Sequence, residues 1–355
     1  MIRAVLAAFA TVLAAAPAVA QPAAADCAQP VHLPGFETCA SVAEAEQEGE
    51  VVLYTTSPDS DTMALLAGFH AAFPKIATNY VRVQAGGLYS KLLSERQAHA
   101  YLVDVMLMSD MSLTLDFQRR GGWQHYLSPA LAAYQPGYQS DPVGYWTWAW
   151  ISITGMAYNT TLVPADKAPK NWPDALDPQW TGSINVKTSI AGVQHDVWYA
   201  LRRLYGDEYW NKFADLKPHA FDSWVQQFER CADGQDKIIQ TAQYSNYLEM
   251  KAKGAPLGFV FPPDGMPVDV TGFGIVTNPP HPAAAKLFAD WLLGETGQAT
   301  LAKSAYAYSV RAGAQPPEGG VALSSVKLLY PADWNDFLKS QKQFVHDWNR
   351  ITGLR

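Results

Sequence analysis

The chain has 355 residues, of which 48% are apolar and only 17% charged, and its 26 Lys plus Arg against 33 Asp plus Glu give a formal net charge of −7. Disorder needs low hydrophobicity with high net charge, so it is excluded. The mild acidic excess gives no field for a phosphate backbone or a membrane surface, and the length exceeds the ~250–300 residues at which single cores stop growing, so two lobes and no nucleic acid are expected.

The N-terminus predicts export. Met1-Ile2-Arg3 carries one cation, residues 4–20 form an apolar run, and Ala18-Val19-Ala20 closes it with a small-x-small cleavage pattern. This is the layout of a secretory signal peptide over 1–20. Ala23-Ala24-Ala25 offers a second cleavage position, and Asp26 is wrong for lipoprotein processing at Cys27. The run is shorter than the ~20 residues of a spanning helix, so a soluble periplasmic protein is expected. In that oxidising compartment Cys27 and Cys39, close in sequence, are a natural disulfide. Cys231 is left over as a small buried hydrophobe, and no C-x-x-C pair supports zinc or thioredoxin-like chemistry.

After an N-terminal segment over 21–45, strands and helices alternate. Glu50-Val51-Val52-Leu53-Tyr54-Thr55 reads as a buried strand. Residues 62–73 read as a helix, with Met63, Leu66, Phe69 and Phe73 at helical spacing and Pro74 as its stop. Tyr80-Val81-Arg82-Val83 is a second strand, 88–99 a second helix and 103–108 a third strand. This β-α-β-α-β order predicts a parallel sheet with helical crossovers. Residues 145–158, rich in Trp, Ile and Thr, read as a long connection into another lobe, with Trp146, Trp148 and Trp150 on one face by their period-two spacing. Beyond it come a strand over 182–187, helices over 193–205, 221–231 and 244–253, and short strands over 237–240, 257–261 and 272–276. Helices over 284–293, closed by Gly294, and 334–348 end the chain. The predicted division is 46–145 plus 275–355 for lobe 1 and 146–274 for lobe 2.

There is no H-E-x-x-H, G-x-S-x-G or G-K-[ST] motif, and no two of the eight histidines stand at i, i+3 or i+4. What recurs is a polar loop after each predicted strand: Thr55-Thr56-Ser57, Ala85-Gly86-Gly87, Ser109-Asp110 and Lys187-Thr188-Ser189. Ligands of open parallel sheets bind at such strand ends. Hydroxyls, glycine amides and helix N-termini there suit an anionic or polar head group.

Several segments carry a family resemblance. They are residues 46–56 with the helix that follows, Val103-Asp104-Val105, Gly155-Met156-Ala157-Tyr158-Asn159-Thr160, and Asn171-Trp172-Pro173-Asp174-Ala175. Trp180-Thr181-Gly182-Ser183-Ile184, Pro262-Pro263-Asp264-Gly265 and the stretch from Asn278 to Phe288 complete the set. In this order and spacing they resemble periplasmic solute-binding proteins of ABC importers, in the group that includes binders of ferric iron, 2-aminoethylphosphonate, thiamine and sugar phosphates. The resemblance implies an α/β, two-lobed type II periplasmic binding fold. Each lobe would be a mostly parallel sheet flanked by helices, with the ligand cleft between them. It also implies a monomer that closes on a small solute, anionic or zwitterionic, and docks on an ABC permease, with no chemistry and no cofactor.

Iron binders of the group carry tandem tyrosines; here Tyr244 matches the first and Ser245 replaces the second, so no iron site is expected. By loop position the polar ligand contacts would be Thr56, Ser57, Gly87, Ser109, Thr188, Ser189, Tyr244 and Ser245. Tyr145 and Trp148 are candidates for an apolar wall. An alternative is an exported hydrolase or lyase using Asp110 or Asp264 with Lys187, and a third is a ligand-sensing subunit of a membrane receptor.

Overall fold

The computed structural model describes residues 25–188, 192–331 and 333–354. The expected signal peptide and Ser189 lie outside the described residues. A hairpin of β1 (Val31–Leu33) and β2 (Phe36–Thr38) leads into α1 (Val42–Glu48), and a disulfide joins Cys27 to Cys39. Gly35 turns the hairpin at φ +79°, and a Cβ there would lie 2.0 Å from Thr296 Oγ1, so glycine alone fits this close approach.

The first lobe follows: β3 (Glu50–Thr55), α2 (Asp59–Ala72), β4 (Ala77–Arg82), α3 (Ala85–Gln97), β5 (Val105–Met108) and α4 (Met111–Arg119). β3 runs parallel to β4 on one side and β5 on the other, as its apolar run predicts. Both crossover helices start earlier than expected. Asp59 and Asp61 occupy the first turn of α2, where the helix dipole favours acids. Ala85-Gly86-Gly87 is the first turn of α3 and not a loop.

β6 (Thr147–Asn159) then crosses into the second lobe. That lobe holds β7 (Ile184–Lys187), α5 (Gly192–Tyr205), α6 (Glu208–Asp215), β8 (His219–Phe221), α7 (Trp224–Ala232), β9 (Ile238–Gln243), α8 (Tyr244–Ala252) and β10 (Leu257–Val260). β11 (Met266–Ile275) returns, followed by α9 (Pro282–Leu293), α10 (Glu295–Ala305), β12 (Leu328–Leu329) and α11 (Trp334–Thr352). One sheet of ten strands unites the lobes in the order β4-β3-β5-β11-β6-β9-β7-β8, with β10 on β6 and β12 on β11. β6 and β11 are antiparallel partners. The end of β11 pairs with β5 in the first lobe, and the end of β6 pairs with β9 and β10 in the second.

Along β6 the register slips. Trp150 opposes Thr271 but Trp148 opposes Gly272, which leaves Ala149 as an extra residue. A bulge of this kind reverses the alternation of faces. The three tryptophans therefore do not share a face as their spacing predicts.

The first core gathers Phe69, Phe288 and Trp291, with ring centroids 5.0 and 5.4 Å from Phe69. Asp104 of the family's Asp-Val piece is buried structure: it accepts from Val52 N at 2.7 Å and His281 N at 2.8 Å, pinning β3 to the entry of α9. The second core gathers Trp172, Trp198, Trp210, Phe213, Phe344 and Trp348. Trp172 Nε1 donates to Gly265 O at 2.9 Å, so two of the family segments hold each other. The predicted division gives all of 275–355 to the first lobe. Instead α11 packs on the second, where Trp348 lies 5.2 Å from Trp210 and His195 stacks 4.2 Å from Phe337. Among the described residues no helix is long and apolar enough to cross a membrane.

Candidate functional site

Between the lobes lies a cavity of about 490 Å³, the size of a small-molecule site. The first lobe supplies Thr56 and Ser57 from the end of β3, Ser109 from the end of β5, and Asp61 from α2. The second supplies Trp224 at the start of α7, Gln243 at the end of β9, and Ser245, Asn246 and Glu249 from α8. The crossing strands add Trp150, Ser152, Asp269 and Thr271, and the end of α10 adds Ser304 and Tyr306. At Ser109 and Asp269 this chamber meets a second cavity of about 300 Å³, lined by Gly86, Asp110, His195, Asp196 and the aromatic face of α11.

The strand-end hydroxyls are held in place. Thr56 Oγ1 donates to Ser109 Oγ at 3.0 Å and accepts from Ser109 N at 3.1 Å, tying the two loops together. Ser57 N donates to Thr55 Oγ1 at 3.0 Å. Asp110 caps α4 by accepting from Ser112 N at 2.8 Å. Tyr306 adopts a left-handed backbone, φ +48°, a conformation that costs a non-glycine residue ~1–2 kcal/mol. Strain of this order persists where the surroundings impose it, and such positions cluster at functional sites.

Burial raises the carboxyls of the cleft. Asp61 is raised by desolvation and then by Glu249, which faces it from the other lobe. Asp269 is pushed up to about 7, by burial and then by the charge of Asp110. Asp196 is raised by burial and by both neighbouring aspartates. His195, deprived of water beside Phe337, is held down to about 4.

The structure brings together Thr56, Ser57, Ser109 and Ser245 among the residues the sequence singles out. It places others elsewhere. Gly87 is helical, with Val83 Cγ1 2.9 Å from where a Cβ would be. Thr188 is buried, and its hydroxyl has no partner among the described residues. Tyr244 is core: its ring lies 4.6 Å from Phe259, and its hydroxyl donates to Gly319 O at 3.3 Å. Tyr145 meets His125 edge-on, with ring centroids 5.1 Å apart, and borders a different cavity. Trp148 packs 4.7 Å from Tyr138 and 6.0 Å from Trp334, so the bulge gives the cleft Trp150 in its place. The supposed catalytic set is dispersed. Asp264 accepts from Tyr205 at 2.6 Å, while Lys187, held down to about 8 by burial, donates to Asp222 O.

Missed by the sequence reading are Trp150, Trp224, Tyr306, Asp61, Glu249 and Asp269. Only Trp150 had a signal, the period-two run itself, and it pointed to the wrong neighbour.

The comparisons with known proteins agree with this architecture. Residues 102–340 match the family model described as bacterial extracellular solute-binding protein. The chain is 26% identical over 285 residues to iron uptake protein A1 of Synechocystis sp., covering 75% of this chain and 77% of that protein. Two solved structures share its fold at a TM-score of 0.71. One is the periplasmic binding protein AfuA of Actinobacillus pleuropneumoniae with fructose-6-phosphate bound, 20% identical over 86% of this chain and 99% of that one. The other is iron-bound HitA of Pseudomonas aeruginosa, 19% identical over 83% and 99%. The two-lobed type II binding architecture is thus shared, and the chain belongs to the bacterial extracellular solute-binding protein family.

Proposed function

We propose that the mature chain works as a periplasmic monomer that captures a small organic solute between its lobes and delivers it unaltered to an ABC permease. The observation that carries this reading is the interlobe cavity of about 490 Å³, with hydroxyl and amide groups presented from both lobes at strand ends and helix starts. Closure of the lobes around a solute would bring Thr56, Ser57 and Ser109 of one lobe against Gln243, Ser245 and Asn246 of the other. Ferric iron fits less well. Tyr244 lies in the core and Ser245 stands where a second tyrosine would.

The test is a thermal-shift screen of the chain from residue 25 onward, with mass spectrometry of the solute recovered from the complex. A solute at 100 times its dissociation constant adds about 2.7 kcal/mol of stability, and it should be recovered intact. Conversion of the solute, or no stabilisation by any class of small molecule, overturns the reading.

A further inference from the structure

The walls of the larger chamber are of one electrostatic kind. Asp61 and Glu249 enter from opposite lobes, Asp269 enters from the crossing strand, and among the described lining residues there is no Lys or Arg. Glu249 holds Lys253 at 2.6 Å on the solvent side of its own helix, in an exposed pair of the kind that contributes little. Asp61 accepts from the Ser60 hydroxyl at 2.9 Å and has no Lys or Arg partner among the described residues. Two half-buried carboxylates thus face each other across the cleft with no cation shared between them among the described residues, and the charge of Glu249 adds to the burial that disfavours ionised Asp61. A phosphate or carboxylate solute entering here would add a like charge to this set.

A second feature is independent of charge. Trp150, Trp224 and Tyr306 line the same chamber from β6, α7 and the end of α10, and all three are only partly buried by the protein. Aromatic faces, Trp above all, attract ammonium groups through the ring quadrupole. The chamber also offers acceptor oxygens on the side chains of Ser57, Ser152, Gln243 and Ser245. A primary ammonium carries donors and no acceptor, the complement of such a lining, while a quaternary one presents only its charge and methyl groups to the aromatic faces.

We propose that the solute is an organic cation, a small amine or quaternary ammonium compound, whose charged head lies between Asp61 and Glu249 and against Trp150, Trp224 and Tyr306. This rests on the solute-capture reading and names its substrate class. It replaces the anionic or zwitterionic solute that the strand-end loops suggest. The head group neutralises the repulsion between the lobes, so the same contact that binds it draws the lobes together.

The experiment is a calorimetric and thermal-shift panel on the chain from residue 25 onward. The ammonium probes are choline, putrescine and phenethylamine; the others are glucose, fructose-6-phosphate, inorganic phosphate and ferric citrate. The expected result is binding by at least one ammonium probe, weakening as salt rises. That affinity should fall tenfold or more in Glu249→Gln and in Trp224→Ala. Asp61→Asn, at the cleft edge, is a third variant, and equal melting of the unliganded variants separates lost binding from lost folding. Binding of an anion, glucose or ferric citrate with none of the ammonium probes overturns the charge assignment and leaves solute capture standing. Binding of no probe overturns both.

Discussion

One extra residue in β6 decides which tryptophan borders the cleft. Were Ala149 paired in the ladder, Trp148 and Trp150 would share a face; because it bulges out unpaired, Trp148 turns into the Tyr138–Trp334 cluster and Trp150 faces the cavity. The strand itself was legible from its Trp, Ile and Thr content, but a bulge leaves no mark in a hydrophobic pattern. The helix-borne groups were illegible for another reason: Asp61 and Glu249 are ordinary helical acids until the fold sets them opposite each other. The hydroxyls were legible because strand ends in a parallel sheet have a fixed relation to ligands. Substitution separates the two tryptophans. Trp148→Ala should cost ~3–5 kcal/mol in a denaturant melt, as removal of a fully packed aromatic does. Trp150→Ala, at a half-buried position, should cost less stability and instead abolish the shift produced by whichever probe binds the wild-type chain.

At the level of elements, β3, β4 and β5 with their crossover helices were predicted nearly as they stand, because the switch between period 2 and period 3.6 is written locally. The placement of α11 was not. Its pattern declares an apolar face through Phe337, Phe344 and Trp348, but a face does not name its partner, and proximity in sequence to α9 and α10 suggested the first lobe. The helix instead closes the second core, where Trp348 is fully buried against Trp210 and Phe344. Trp348→Ala should therefore destabilise by ~3–5 kcal/mol. Trp348→Phe should cost distinctly less, since the indole N–H it removes is buried without a partner among the described residues. Urea melts of the two variants check the order; equal losses would mean that α11 is not seated in this core.

The whole molecule is two lobes threaded on one sheet, so the groups beside the crossing strands feel both lobes. Asp269 sits there, between the chambers, with its carboxyl pushed up to about 7, against ~3.9 for an aspartate in an unfolded chain. Between those values the folded chain holds a proton that the unfolded chain has released. Stability from this group is therefore greatest below about pH 4 and is lost as pH rises through about 7. His195 works in the opposite direction. Held down to about 4, it leaves the folded chain with fewer protons than the unfolded one up to about pH 6.5, and it adds stability as pH rises through that range. The bare pH profile mixes the two slopes, and Asp269→Asn isolates one of them. The variant's melting temperature relative to wild type should rise from pH 5 to pH 8 by ~4 °C: ~2 pH units at ~1.4 kcal/mol each, set against an unfolding entropy of ~2.1 cal/mol/K per residue, give a shift of that size. A gap that stays constant with pH would show that Asp269 is ionised in the folded protein throughout. The cleft would then carry its full negative charge at neutral pH without a bound cation.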